Sequence, residues 1–146
     1  MLLTANYLIK KFQPKHADNI LKSGEVENYK HDYPTELLDC EHSWTGFYLG
    51  TPIVCGGIYQ MWDGVAEVWI ITKQNQNKHK FFMLKNIKDK LETPIIKKKY
   101  HRVQAAVRTD FNIGLRFAKW FGMHEESIMK KFGPDKKDYY RLVRII

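Results

Sequence analysis

The chain has 146 residues, of which 44% are hydrophobic and 27% charged, with a formal net charge of +8. That length and composition suit one soluble globular domain spanning 1–146, large enough to bury a substantial core. No apolar run approaches the roughly 18 residues needed to cross a bilayer, and Met1-Leu2-Leu3-Thr4 lacks the charged and apolar regions of a signal peptide.

Cys40 and Cys55 show neither CxxC nor Cys/His spacing, so free thiols in a cytoplasmic protein are expected. Cys55 reads as a small buried hydrophobe. The six histidines show no ligand spacing, and no metal site is expected. Charge is distributed unevenly. Residues 1–72 hold five Lys and nine acids, residues 73–100 nine Lys and two acids, and residues 101–146 ten bases and five acids. Such polarity points either to an anionic partner near the middle of the chain or to a solvated Lys-rich face. Aromatics interleave poorly with Lys97-Lys98-Lys99 and the preceding lysines, so nucleic acid is not the expected partner.

In chain order, Asn6 to Phe12 reads as a strand, and Gln13-Pro14 opens a helix whose Ala17, Ile20 and Leu21 share a face before Ser23-Gly24 stops it. A polar stretch from Glu25 to Tyr33 leads through Pro34 into a short helix at Thr35 to Cys40. Strands follow at Ser43 to Leu49, Ile53 to Met61 and Val65 to Thr72, forming an antiparallel meander. Asp63-Gly64 predicts a type I′ hairpin between the last two, with positive φ at both positions.

Asn77 to Leu91 is predicted as a helix buried through Leu84, Ile87 and Leu91 and closed off by Pro94. Arg102 to Val107 alternates as a strand. The next helix, Asn112 to Phe121, is predicted to bury Ile113, Phe117, Trp120 and Phe121, with Gly122 as its left-handed cap. Asn112 itself reads as the N-cap. Met123 to Phe132 and Tyr139 to Ile146 then form a hairpin across Gly133-Pro134-Asp135. The sum is an α+β domain: a mixed, mostly antiparallel sheet with helices on both faces.

This element order resembles the GNAT acetyltransferase fold over nearly the whole chain. Tyr7 to Ala17 is similar to that family's opening strand and helix. His101 to Val107, then Asn112 and Phe117-Ala118-Lys119-Trp120-Phe121-Gly122-Met123-His124-Glu125-Glu126, resembles its closing half. Met123 stands where the family usually has Phe, and Ser127 where it has Gly. Lys131 to Tyr140 is most similar to GNAT-like proteins of tailed phages, some of which are virion-associated.

The resemblance implies acetyl-CoA as cosubstrate, inserted where the fourth and fifth strands splay, with backbone groups of Val68, Trp69 and Ile70 holding the pantetheine arm. Pyrophosphate would rest on the following loop and helix N-terminus. In the family that loop is glycine-rich; here Lys73-Gln74-Asn75-Gln76-Asn77-Lys78-His79-Lys80 has no glycine. Lys73, Asn77, Lys78 and Lys80 are therefore the candidate phosphate contacts, with Asn112 a further cofactor contact. Glu67 is the candidate base, because many members place a Glu on this strand; its rival role is an ion-paired carboxylate. The family's usual acid is a Tyr at the position of Ala118, which leaves Tyr139 or Tyr140 on the last strand as substitutes, Tyr140 being the candidate taken, beside their reading as core.

The expected activity is acetyl transfer to a small-molecule or protein amine, by a monomer or homodimer. The acceptor would be drawn by Glu25, Glu27, Asp32, Glu36, Asp39 and Glu41. The alternative is a non-catalytic GNAT-like binding or virion protein.

Overall fold

The structure is a computed structural model, described for residues 6–22, 35–73 and 77–146. Its strands are β1 (Tyr7–Lys11), β2 (His42–Tyr48), β3 (Thr51–Trp62), β4 (Val65–Thr72), β5 (Arg102–Arg108), β6 (His124–Met129) and β7 (Tyr139–Ile145). The helices are α1 (Pro14–Lys22), α2 (Lys80–Lys98) and α3 (Asn112–Trp120), with 3₁₀ turns at Thr35–Leu38 and Asn77–His79. One sheet joins the strands in the order β1-β2-β3-β4-β5-β7-β6, and only the β4–β5 pair is parallel.

Alternation along the strands sorts the core onto two faces. Phe12, Cys55 and Ile71 pack with Ala17 and Ile20 of α1 on one side. Val54, Ile58, Ala66, Val68 and Val103 pack on the other with Phe82, Ile87, Leu91 and Ile95 of α2 and Ala118 of α3. Cys55 is fully buried, and burial pushes its thiol far up, consistent with an inert core residue. The predicted meander is present as β2–β3–β4.

Several local expectations change. At the β3–β4 turn only Gly64 has positive φ; Asp63 does not, so the hairpin is not type I′. The register shift between Gln60 and Trp62 takes up the twist instead. The last hairpin has a longer connection than expected, because β6 ends at Met129 rather than Phe132.

Pro94 does not close α2. It lies inside the helix and is buried, as is Ile95. An interior proline costs about 3 kcal/mol, but burying Ile95 contributes about 1.5–3 kcal/mol and Pro94 itself packs. Leu84 is only half-buried; Phe82 takes its place in the core.

The buried face of α3 is rotated. Ile113 and Trp120 are exposed, Phe117 is half-buried, and Ala118 and Phe121 are buried. Gly114 explains the rotation: a Cβ there would stand 2.7 Å from the Phe111 ring and 3.1 Å from Val107. Small residues one and two turns apart let the helix approach β5, and the larger side chains swing to the flanks. Phe111 rather than Asn112 occupies the N-cap position, with no side-chain cap bond. Gly122 has φ +93, as its predicted role requires.

Candidate active site

The β4–β5 pair is short. Val65, Ala66 and Glu67 pair with Arg102, Val103 and Gln104, and pairing stops there. Both strands continue, β4 along β3 as far as Thr72 and β5 along β7 as far as Arg108. A wedge therefore opens between them, and the β5-facing peptide groups of Val68, Trp69 and Ile70 have no strand partner. The closed end is pinned by the Gly64 carbonyl, which accepts N–H bonds from His101 (2.9 Å) and Arg102 (3.1 Å).

Side chains hold the exposed backbone in place. The Trp69 ring meets Phe12 edge-on at 5.2 Å. Its indole nitrogen lies where a Cβ on Gly57 would come within 2.9 Å, so Gly57 serves close packing. Val68 and Ile70 pack into the opposite core.

The N-terminus of α2 stands at the open end of the wedge. Its N-cap residue, His79, makes no side-chain cap bond, and no acid occupies the first turn. The orphan N–H groups there and the positive end of the helix dipole favour an anion. Lys78 and Lys80 are exposed beside them, and Lys78 lies over the Tyr48 ring at 5.3 Å. Lys73 follows the last residue of β4; residues 74–76, the middle of the glycine-free stretch, lie outside the described residues. Asn77 and Lys78 have no positive φ.

His79 is a residue that spacing alone did not flag. It is buried, and its Nδ1 lies 2.6 Å from the Tyr7 hydroxyl, with Tyr48 and Tyr7 packed around the ring. Burial, then Lys78, lowers its pKa, which favours the neutral ring in this hydrogen bond. This contact ties the start of α2 to β1, 72 positions away in sequence. The one sequence signal was a histidine in an otherwise solvated Lys-rich run.

Glu67 sits at the point where the wedge opens, on the α1 face. One carboxylate oxygen accepts a 2.9 Å bond from Arg141 of β7. Arg141 also reaches Met129, and on the same face Arg102 joins Gln104 to Glu126 through a bidentate ion pair. The predicted base is thus an ion-paired carboxylate in this structure. Tyr140 lies on the opposite face of β7, pairs with Val107 and packs against the main core. Alternation along the strands separates the two catalytic candidates by face. Asn112 is exposed at the first position of α3, near the end of β5.

Of the acids expected to draw the acceptor, two that are described are engaged in ion pairs. Glu41 precedes the first residue of β2, at the closed end, and pairs with Lys98 at 3.6 Å; Asp39 pairs with Lys11 at 3.7 Å. Glu36 is exposed in the 3₁₀ turn, while Glu25, Glu27 and Asp32 fall outside the described residues.

No family model matches the sequence, and no curated protein does. Solved structures do match. Ard1 from Thermoplasma volcanium superposes with a TM-score of 0.75 at 15% identity, covering 97% of this chain and 99% of that one. A GNAT-family acetyltransferase from Bacillus anthracis gives 0.69 at 16%, covering 96% and 95%. The fold is the GNAT fold. Naa50 from Arabidopsis thaliana, in complex with the bisubstrate analogue CoA-Ac-MVNAL, shares the GNAT fold at a TM-score of 0.73 and 12% identity, covering 97% and 100%. Among the described residues no helix is long and apolar enough to cross a membrane.

Proposed function

We propose that this chain is an acetyl-CoA-dependent N-acetyltransferase acting on an amine. The observation that carries the reading is the wedge between β4 and β5, with an uncapped, lysine-flanked helix N-terminus at its open end. Those features fit the cosubstrate: an unpaired strand edge suits the two amides of a pantetheine arm, and orphan N–H groups suit a pyrophosphate. The fold match to Naa50, solved with a CoA bisubstrate analogue, supports the same assignment.

In this reading Val68, Trp69 and Ile70 bind through their backbones. Lys73, Asn77, Lys78 and Lys80 hold phosphate in place of a glycine loop, and Asn112 contacts the cofactor from the β5 side. Acetyl-CoA supplies the thioester. Glu67 takes a proton from the incoming ammonium, directly or through a water, while Arg141 fixes one of its oxygens. The amine nitrogen then bonds the acetyl carbon as the C–S bond breaks, and the leaving thiolate takes up a proton, for which Tyr140 is the assigned donor. Full kcat in Tyr140→Phe would return that tyrosine to the core.

A non-catalytic GNAT-like binding protein, of the phage type that Lys131 to Tyr140 resembles, is the second reading. The Glu67–Arg141 pair and Ala118 at the acid position favour it. Calorimetric titration with acetyl-CoA and CoA separates the two. Micromolar binding that weakens in the Lys78→Ala, Lys80→Ala double variant, with acetyl transfer lost in Glu67→Gln, is expected. Absence of binding at millimolar ligand overturns the enzyme reading.

A further inference from the structure

Tyr7, the first residue of β1, grips both ends of the first turn of α2. Its hydroxyl shares the 2.6 Å hydrogen bond with Nδ1 of His79, the N-cap residue, and its ring stacks on Phe82 at 4.2 Å and 22°. Tyr48 closes the cluster, its ring centroid 4.5 Å from that of His79 and 5.0 Å from that of Tyr7. Gly46 of β2 leaves room for Phe82: a Cβ there would come within 3.3 Å of the Phe82 ring and 3.0 Å of Val54. His79 and Phe82 are buried, whereas Lys78, Lys80 and Phe81 are exposed. The turn is thus held on its inner side and open on its outer side.

A helix start needs such holding. Its first N–H groups have no intrahelical partner, and terminal turns fray. A glycine-rich loop fixes them with its own backbone, because positive φ turns successive N–H groups onto a phosphate. Here Asn77 and Lys78 have no positive φ, and no side chain caps α2. Among the described residues, side-chain contacts to β1 and β2 take over that task. Ring packing sets the spacing between α2 and β1, and the directional Tyr7–His79 bond fixes the register of the turn.

We infer that Tyr7 and His79 are positioning residues for the pyrophosphate of the cosubstrate, their hydrogen bond setting the first turn of α2 in place of a glycine-rich loop. This rests on the acetyltransferase reading and adds how its anion site is built. Neither side chain touches the ligand: the phosphates meet the outer side of the turn, where the N–H groups and the ammonium groups of Lys78 and Lys80 converge. A turn fixed beforehand spares the entropy of ordering it on binding, so the device acts only on ligands that reach the turn.

The test compares CoA, titrated calorimetrically, with S-acetylpantetheine, which has the thioester arm but no pyrophosphate and is followed by chemical-shift titration. Tyr7→Phe keeps the ring and removes the bond. Its Kd for CoA is expected to rise about tenfold, with the affinity for S-acetylpantetheine unchanged. His79→Gln should show the same selective loss. The Tyr7→Phe, His79→Gln double variant should lose no more than either single variant, because both break one bond. Unchanged CoA affinity in Tyr7→Phe overturns the inference and leaves the acetyltransferase reading standing, as does a double-variant loss equal to the sum of the single losses. Equal losses for CoA and S-acetylpantetheine also overturn it, since a general loosening of the sheet would weaken both. Absence of CoA binding to the wild-type chain overturns the parent reading together with this one.

Discussion

Among the described residues His16 and His79 are the buried histidines, and each is held by one defined partner set. His16 Nδ1 bonds Thr45 Oγ1 at 2.8 Å and the Gln13 N–H at 3.1 Å, while His79 Nδ1 bonds the Tyr7 hydroxyl. Burial is the largest cause lowering both pKa values from the ordinary 6.5, with Lys15 and Lys10 adding to it at His16 and Lys78 at His79. The unfolded chain therefore binds protons that the folded chain refuses. Stability is full above about pH 6.5 and falls as pH drops from there through the folded-state values. Thermal melts between pH 7.5 and 5 should show that decline, and His16→Gln with His79→Gln should flatten its slope, whatever it does to the melting temperature itself. Glu67 illustrates what is legible at this scale. Strand alternation placed it on a partly apolar face, but its partner Arg141 is 74 positions away, and no local pattern pairs the two.

At the scale of elements, the errors of sequence reading share one cause: packing overruled a local rule. Pro94 obeys its covalent geometry and still sits inside α2, because the helix buries apolar side chains on both sides of it. The helix ends instead at Lys99, which adopts the left-handed conformation at φ +52. Lys99→Gly removes that strain and should raise stability by about 0.5–1 kcal/mol in denaturant titration. In α3 the spacing of large apolar residues proposed one face and the small residues decided another. Ile113→Lys should therefore change stability by less than about 0.5 kcal/mol. Gly114→Leu, which must push Phe111 and Val107 aside, should cost about 1–3 kcal/mol. A larger loss for Ile113→Lys than for Gly114→Leu would refute the assigned face.

On the molecular scale, the decisive feature is the insertion of β7 between β5 and β6. β7 supplies Leu142 and Val143 to the interior, Arg141 to Glu67 and Arg144 to Glu92, so the last strand completes both the core and the site. Removing residues 139–146 should abolish cooperative unfolding rather than merely lower its midpoint, as circular dichroism on heating would show. A shortened chain that still melts cooperatively would mean that β5 tolerates an open edge. Charge is also arranged at this scale. Lysines gather at both ends of α2 and in the β6–β7 loop, and toward the closed end Glu41 and Glu92 form ion pairs with Lys98 and Arg144.

The amino-acid sequence by itself determined the elements, their order and the antiparallel meander, because strand alternation, helical spacing and turn residues act over a few positions. It also carried the GNAT resemblance and the lysine-rich, glycine-free approach to α2. Only the tertiary structure decided that the β4–β5 pairing stops at Glu67, that Glu67 is bound by Arg141, that Tyr140 faces the other way, and that His79 ties α2 to β1. It likewise put Asp39 and Glu41, two of the expected acidic attractors, in ion pairs with Lys11 and Lys98. Each of these depends on which distant segments share an edge or a face. That is settled by the packing of the whole sheet against its helices, not by neighbours along the chain.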